Sequence, residues 1–312
     1  MEVSLEVSLE VSPEVSPEVS LEGIPEILPE DTNYNILCLG GGGIYGISIL
    51  GSLHFLEMYK ILIHNSIESF IGTSIGGIIC SLLCIGYTSI QIFEWFNKEF
   101  NNFENFINFK LISNPLNISD DGILKLDKII NVLSTFIIDK LGNIPTLHEL
   151  YDNTKKELIV TTIKNTEIIY LSHITYPNML LTDALKLTCA LPFIFEKCKV
   201  NNDTFIDGGL LNNFPINYNF QNKYKKILGI YLTNKYNDNN IIEYIYSILT
   251  LASNRLVEMN IESSIKKFDN RFIVSISPLN LISLNFVLSP SQKYHIFCHG
   301  FDETKKLLKT EL

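Results

Sequence analysis

The chain has 312 residues, 46% of them hydrophobic, so it can bury a full core and does not have the composition of a disordered protein. Its 34 acidic side chains outnumber 24 Lys and Arg, and the resulting formal net charge of −10 argues against a nucleic-acid partner. The six cysteines form no CxxC pair and no Cys/His cluster with metal-ligand spacing, which predicts buried free thiols and no metal site.

The first 32 residues form a low-complexity segment. Residues 2–21 repeat the unit EVSL or EVSP, four prolines break helical continuation, and no aromatic residue precedes Tyr34. We therefore predict a disordered acidic tail over residues 1–32. The segment lacks the basic region and apolar core of a secretory signal, so we expect a cytoplasmic protein, either free or peripheral at membranes.

Two strand, turn and helix units follow the tail. Ile36–Leu39 reads as a buried strand, and apolar residues recur at helical spacing after the glycines at 40–43. Ser69–Ile71 reads as a second strand and Ile78–Leu83 as a second helix. The repetition predicts an α/β fold with a largely parallel sheet. We expect one domain over residues 33–233 and a C-terminal helical extension over 234–312 packed on it.

Later segments extend this pattern. A long helix is predicted over Ile241–Lys267, and the capping box Ser289–Gln292 predicts a terminal helix with Pro290 at its first position. Helical pieces are expected within 100–150, around the run ILKLDKIINVLSTFI. The further strand candidates are Leu158–Thr162, Ile168–Leu171, Thr204–Ile206 and Lys226–Leu232.

Residues 69–93 carry no charged side chain and are long enough to span a bilayer. A buried strand followed by a core helix gives the same uninterrupted apolar pattern, and glycines interrupt this one. A single membrane span through 69–93 is therefore the alternative to the α/β interpretation.

The turn after the second strand has the sequence Gly72-Thr73-Ser74-Ile75-Gly76, a GxSxG pattern. Between an apolar strand and an apolar helix, this pattern is typical of a nucleophile elbow, with Ser74 as the nucleophile. The alternative is that Ser74 is only the N-cap of the helix.

None of the six histidines is placed as an obvious base for Ser74. The other candidate is Asp207, at the end of an apolar strand and followed by Gly208 and Gly209, although an Asp-Gly turn explains the pair as well.

The glycines of the first turn indicate a bound anion. Gly41, Gly43 and Gly46 satisfy the dinucleotide fingerprint GxGxxG, which also requires an acidic residue at the end of the second strand. Glu68 precedes that strand instead. Glycine backbone N–H groups also stabilise the oxyanion of acyl transfer, and this function fits a neighbouring serine better.

The glycine turn at 41–46, the GxSxG turn at 72–76 and the Asp207-Gly208-Gly209 turn follow one another in the chain. In this order the three motifs resemble those of the patatin-like phospholipase family, and the chain is similar to a viral or microbial member. The likeness covers most of the chain after about Asn33 and includes the segments PTLHELYDNTKKELIVT and ALKLTCALPFIF. The resemblance implies a three-layer fold, a Ser74/Asp207 dyad without histidine, and a lipid or phospholipid substrate at a membrane surface, with no cofactor. It also implies an oxyanion hole at Gly41, Gly42 and Gly43. The other glycines of the three motifs are Gly46, Gly72, Gly76, Gly208 and Gly209.

Tyr45 stands where many members of the family have Arg or Lys. For that reason the sequence does not predict which lipid head group the protein prefers. We expect a lipid acyl ester hydrolase that works through an acyl-enzyme. A dinucleotide-binding protein and a non-catalytic membrane-associated protein are the alternatives.

Overall fold

In the part of the chain that the structure describes, eight strands form one mixed sheet at the centre of the molecule. The computed structural model describes residues 33–100, 124–218, 225–233, 241–267, 271–277, 279 and 288–310. The predicted tail over 1–32 and the middle segment 101–123 lie outside the described residues. The strands are β1 Ile36–Leu39, β2 Ser69–Thr73, β3 Glu157–Lys164, β4 Glu167–Leu171, β5 Cys198–Val200, β6 Asp203–Asp207, β7 Ile227–Leu232 and β8 Arg271–Ile276.

Helices connect the strands and cover the sheet. Those that the structure describes are α1 Gly46–Met58, α2 Ile75–Cys84, α3 Ser89–Glu99, α4 Leu126–Leu141, α5 Leu147–Thr154, α6 Leu181–Thr188, α7 Gly209–Asn212, α8 Ile241–Lys267 and α9 Pro290–Thr310. The predicted bounds of α8 are confirmed, and so is the capping box before α9: the Ser289 hydroxyl accepts from the Gln292 N–H at 3.3 Å and the Gln292 side chain accepts from the Ser289 N–H at 2.9 Å.

The strand order is β5-β6-β3-β2-β1-β7-β8, and β4 pairs with β3 on its other edge. The central pairs β3/β2, β2/β1, β1/β7 and β7/β8 are parallel, whereas β4, β5 and β6 are joined to the sheet by antiparallel pairs. Parallel strands need crossover connections, and helices supply them here. The expectation of a mostly parallel sheet is confirmed.

Both faces of the sheet are buried. Along β1, Leu37 and Leu39 belong to the larger apolar cluster, which contains α1 and α2 side chains, whereas Ile36 and Cys38 belong to a smaller cluster with Val257 of α8. Successive side chains of a strand point to opposite faces, so helices lie on both sides of the sheet. This arrangement has the three layers expected from the resemblance.

The membrane-span alternative for residues 69–93 is wrong. The segment divides into β2, α2 and the beginning of α3, with a turn at Gly86 between the two helices. The apolar run is continuous because β2 is buried on both faces and α2 packs against it. Among the described residues, no helix is both long enough and apolar enough to cross a bilayer.

Residues 234–312 contribute a strand as well as helices. β8 pairs in parallel with β7 from Ile227 and Arg271 onward, so this region extends the sheet. The prediction of a helical extension missed β8. α9 packs closely on α1, where a Cβ atom added at Gly300 would lie 1.8 Å from the Ser48 carbonyl oxygen.

Candidate active site

Ser74 lies in the turn between β2 and α2 with φ 54° and ψ −126°. A positive φ is uncommon for a residue other than glycine and is often found where the surrounding structure holds a functional residue under strain. The Ser74 side chain makes no capping hydrogen bond to α2, so the N-cap interpretation does not account for it. The turn has the conformation of a nucleophile elbow.

The glycines on either side of Ser74 allow the strand and the helix to approach. A Cβ atom added at Gly76 would lie 2.5 Å from the Gly40 carbonyl oxygen, and one added at Gly72 would lie 2.5 Å from the carbonyl carbon of Gly76. Neither position has room for a side chain, so the GxSxG spacing is required by packing as well as by the turn.

Thr188, the last residue of α6, holds the elbow in place. Its hydroxyl accepts a hydrogen bond from the Ser74 N–H at 2.9 Å and donates to the Thr161 carbonyl oxygen at 2.5 Å. The sequence analysis did not identify Thr188 as a site residue. The only signal for it was its position in the segment ALKLTCALPFIF.

The register of β3 brings Ser74 and Asp207 together. β2 ends at Thr73 opposite Thr161, and β6 runs in the other direction along the same edge of β3 and ends at Asp207 opposite Thr162. The carboxyl ends of β2 and β6 therefore meet at consecutive residues of β3.

Asp207 is buried, and the Ser74 hydroxyl lies near enough to its carboxylate to lower the pKa of that carboxyl. Burial has the larger effect and raises the pKa of Asp207 to about 6, against the opposing effects of the Gly209 N–H hydrogen bond and of the Ser74 hydroxyl. The Gly209 bond, at 2.7 Å, is the local Asp-Gly turn that was the alternative interpretation, so the turn and the contact with Ser74 coexist. A Cβ atom at Gly208 would lie 2.6 Å from the Thr161 carbonyl oxygen, which accounts for the first glycine after the aspartate.

The glycine loop differs from the expectation in one respect. The Gly41 N–H donates to the Asn213 carbonyl oxygen at 3.0 Å, and the Asn213 side-chain amide donates to the Gly41 carbonyl oxygen at 3.3 Å. The N–H of Gly41 is thus engaged and is not available for an oxyanion, which corrects that assignment. Gly42 and Gly43 lie beside Ser74 in the wall of the same cavity, and no acceptor within the described residues binds either N–H.

A cavity with an empty volume of about 1260 Å³, which includes open solvent, adjoins the Ser74 hydroxyl. Ser74, Asp207 and Cys189 are on its wall, and burial raises the pKa of the Cys189 thiol well above its usual range, so this thiol stays protonated. Most of the other lining side chains are aliphatic or aromatic and come from α1, α2, α3 and α4; they include Ile47, Leu50, Ile78, Trp95, Ile129 and Leu133.

The geometry disfavours the dinucleotide alternative. Glu68 lies before β2 and pairs with Lys225 at 2.8 Å, far from the carboxyl end of the strand where a ribose would bind. None of the six histidines, all of which the structure describes, lines the cavity. Tyr45 is buried, does not line the cavity either, and donates from its hydroxyl to the Leu279 carbonyl oxygen at 3.3 Å.

The same part of the chain matches a known protein family. The model of the family described as patatin-like phospholipase matches residues 37–220, which span both Ser74 and Asp207. The chain belongs to the patatin-like phospholipase family. The three motifs on which the resemblance was based all fall within the matched residues.

Relatives of this patatin-like chain occur in viruses. It is 33% identical over 282 residues to a protein of Invertebrate iridescent virus 6 named a probable lipid hydrolase, covering 89% of this chain and 90% of the relative. It is 28% identical over 298 residues to an uncharacterized protein of Acanthamoeba polyphaga mimivirus, covering 90% and 96%. Among solved structures, VipD from Legionella pneumophila has a TM-score of 0.58 at 16% identity, covering 89% of this chain and 67% of VipD, and shares the fold.

Proposed function

We propose that this patatin-like protein hydrolyses carboxylic esters of lipids, with Ser74 as nucleophile and Asp207 as its base. The observation that carries the proposal is the placement of the Ser74 hydroxyl beside the buried Asp207 carboxylate, at the wall of an apolar cavity. Membership of the family and the relative named a probable lipid hydrolase support a lipid as the substrate.

In the first half of the reaction, the Ser74 oxygen attacks the ester carbonyl carbon while the Asp207 carboxylate accepts the hydroxyl proton. The carbonyl oxygen becomes negative in the tetrahedral intermediate. The Gly42 and Gly43 N–H groups are the proposed donors to it, and one such donor contributes about 3 kcal/mol in acyl transfer. The N-terminus of α2, which begins directly after Ser74, adds partial positive charge behind the nucleophile.

The intermediate collapses when Asp207 returns the proton to the leaving alcohol, and the acyl group remains on Ser74. In the second half, Asp207 accepts a proton from water as the water oxygen attacks the acyl-enzyme. Asp207 then returns this proton to the Ser74 oxygen as the fatty acid leaves. The same carboxylate thus acts as base and acid in both halves.

Burial makes Asp207 a better base than an exposed aspartate. A carboxyl of ordinary pKa, about 3.9, holds a proton too weakly to take one from serine efficiently. The pKa of Asp207 is raised to about 6 by burial, which moves its basicity toward neutral pH. The apolar surroundings of the site therefore contribute to the chemistry as well as to substrate binding.

A fluorophosphonate probe tests the proposal, because it labels an activated serine covalently. We expect labelling of the wild-type chain and hydrolysis of a soluble short-chain ester, and loss of both in Ser74→Ala. Asp207→Asn is expected to lose turnover and most of the labelling.

Two variants serve as controls. Ser134→Ala removes a serine of α4 whose hydroxyl donates to the Ile130 carbonyl oxygen of the same helix, and Asp203→Asn changes the other end of β6. Both are expected to retain labelling and turnover. A folded wild-type chain that neither labels nor hydrolyses esters would overturn the proposal and favour a non-catalytic protein.

A further inference from the structure

The glycine loop at residues 40–43 has no side chain with which to fix its own conformation. Gly43 has φ 56°, in the left-handed region, and a run of glycines can adopt many other backbone conformations. The donors of an oxyanion hole lower the reaction barrier only if they are already oriented when the negative charge develops. Neighbouring residues must therefore hold this loop in place.

Asn213, which follows α7, holds the loop at Gly41 through two hydrogen bonds. Its backbone carbonyl oxygen accepts from the Gly41 N–H at 3.0 Å, and its side-chain amide donates to the Gly41 carbonyl oxygen at 3.3 Å. The residue before, Gly40, donates from its N–H to the Ile230 carbonyl oxygen of β7 at 2.9 Å. Asn213 therefore supplies the hydrogen bonds at the point where the loop leaves the sheet.

The bond from the Asn213 side chain also fixes the direction of a proposed oxyanion donor. The Gly41 carbonyl and the Gly42 N–H belong to one peptide unit, which is planar and trans. In such a unit the C=O and N–H bonds point in opposite directions. A donor that holds the Gly41 carbonyl oxygen therefore sets the direction of the Gly42 N–H. The backbone bond to the Gly41 N–H does not do so, because that N–H belongs to the preceding peptide unit.

Two glycines of the motifs make room for the Asn213 side chain. A Cβ atom added at Gly41 would collide with the Asn213 amide oxygen. A Cβ atom added at Gly209 would lie 2.8 Å from the same oxygen and 3.0 Å from the Asp207 carboxylate. The Asn213 side chain is thus confined between the glycine loop and the segment after Asp207. This contact gives a reason for the second glycine of the Asp-Gly-Gly motif, which the local turn leaves unexplained.

The residues on either side of Asn213 are fixed to the sheet. The Asn212 carbonyl oxygen accepts from the Thr73 hydroxyl at 3.0 Å. Phe214 is fully buried, and its ring centre lies 5.0 Å from that of Tyr231 in β7. A side chain whose own support is packed and hydrogen-bonded can hold a functional group precisely. Asn213 therefore has the rigid support that a positioning residue requires.

We propose that Asn213 is a positioning residue of the oxyanion hole, whose side-chain amide holds the Gly41–Gly42 peptide unit so that the Gly42 N–H is oriented to the negative oxygen of the intermediate. The inference rests on the proposed function, since that oxygen becomes negative only if the chain hydrolyses esters. Asn213 acts through the backbone of the loop and takes no part in proton transfer. Its removal is therefore expected to weaken binding of the transition state more than binding of the substrate.

A comparison of an ester with its thionoester tests the inference, because sulfur in place of the carbonyl oxygen accepts hydrogen bonds only weakly. The substrates are p-nitrophenyl butyrate and the corresponding thionoester. In Asn213→Ala, which keeps the backbone carbonyl, we expect kcat for the oxygen ester to fall about 10- to 100-fold while KM changes less than about twofold. The loss for the thionoester is expected to be at least about fivefold smaller, because this substrate gains less from the N–H donors. Asn153→Ala, which changes an exposed asparagine of α5, should alter neither rate.

Asn213→Asp separates the amide donor from the volume of the side chain. Aspartate has nearly the same shape, but its ionised carboxylate cannot donate to the Gly41 carbonyl oxygen. We expect the preference for the oxygen ester to fall in this variant as well, with the fold intact by circular dichroism. A wild-type preference in Asn213→Asp, or an equal loss of kcat for both esters in either folded variant, would overturn the inference.

Hydrogen exchange followed by mass spectrometry gives a readout that does not depend on turnover. Residues 40–46 of Asn213→Ala are expected to exchange at least about fivefold faster than in the wild type, while β2 exchanges as before. Unchanged exchange over 40–46 overturns the inference whether or not the chain hydrolyses esters. Faster exchange in a chain whose wild type hydrolyses neither ester upholds the hold of Asn213 on the loop and sinks only the proposed activity.

Discussion

Thr73 and Asp207 end two strands that approach each other along one edge of β3, opposite the consecutive residues Thr161 and Thr162. Ser74 follows Thr73 directly, so the register of one strand places the proposed nucleophile beside the proposed base. The separation of the two side chains thus depends on backbone pairing in the sheet, which is more rigid than a pair of loops.

The pKa of Asp207 predicts the pH dependence of hydrolysis. Asp207 must be ionised to accept a proton, and burial raises its pKa to about 6. We expect kcat/KM for a soluble ester to rise about tenfold per pH unit below this value and to level off above it. Asp203→Asn should leave the midpoint unchanged. A profile that stays flat down to about pH 4.5 would contradict Asp207 as the base.

Asp207→Asn is expected to stabilise the fold at alkaline pH. The folded-state pKa is raised from 3.8 to about 6, so the folded chain binds a proton more tightly than the unfolded chain, and stability falls as pH rises through this window. A shift of about two units corresponds to about 3 kcal/mol at most. We expect the free energy of unfolding of Asp207→Asn in urea to exceed that of the wild type by about 1–3 kcal/mol at pH 8, and the gain to vanish toward pH 4.

The same measurement on Asp203→Asn provides the control, because Asp203 is at the surface and pairs with Lys164 at 2.6 Å. This variant should show no gain at pH 8. A gain for Asp207→Asn that is equal at both pH values would mean that ionisation of Asp207 is not its cause.

Thr188→Val tests the contact that holds the elbow. Valine has nearly the same shape but removes the acceptor for the Ser74 N–H and the donor to the Thr161 carbonyl oxygen. Misplacement of a nucleophile by a fraction of an ångström is costly, and we expect kcat to fall about 10- to 100-fold with the fold intact by circular dichroism. Thr188→Ser, which keeps the hydroxyl, should recover most of the activity. Full activity in the valine variant would show that Ser74 does not need this contact.

The cavity wall is expected to limit the length of the acyl chain. Ile129 of α4 lines the cavity, and Ile129→Trp adds bulk there without altering Ser74 or Asp207. We expect at least about a tenfold loss of kcat/KM for long-chain esters relative to short-chain esters. Ile138→Trp, at an exposed position of the same helix, should preserve the ratio. An unchanged ratio in Ile129→Trp would place the acyl chain elsewhere.

Local features of the fold were predictable because they depend on residues a few positions apart. The strand before the elbow, the bounds of α8 and the capping box at Ser289 all follow from apolar periodicity and turn chemistry. β8 was missed, since a short strand within a largely helical region gives a weak periodic signal. The apolar run over 69–93 was ambiguous for a related reason. A strand buried on both faces lacks the alternation of apolar and polar side chains that identifies a half-buried strand.

The sequence by itself determined the types of the proposed groups: a serine on a GxSxG turn, an aspartate at a strand end and a glycine loop. Only the tertiary structure decided which of them meet, because Ser74 and Asp207 are joined through the register of β3 and not through local sequence. It also decided that the Gly41 N–H is engaged by Asn213 and that burial raises the pKa of Asp207. Pairing, burial and exposure depend on residues brought together from distant parts of the chain, and no local pattern encodes them.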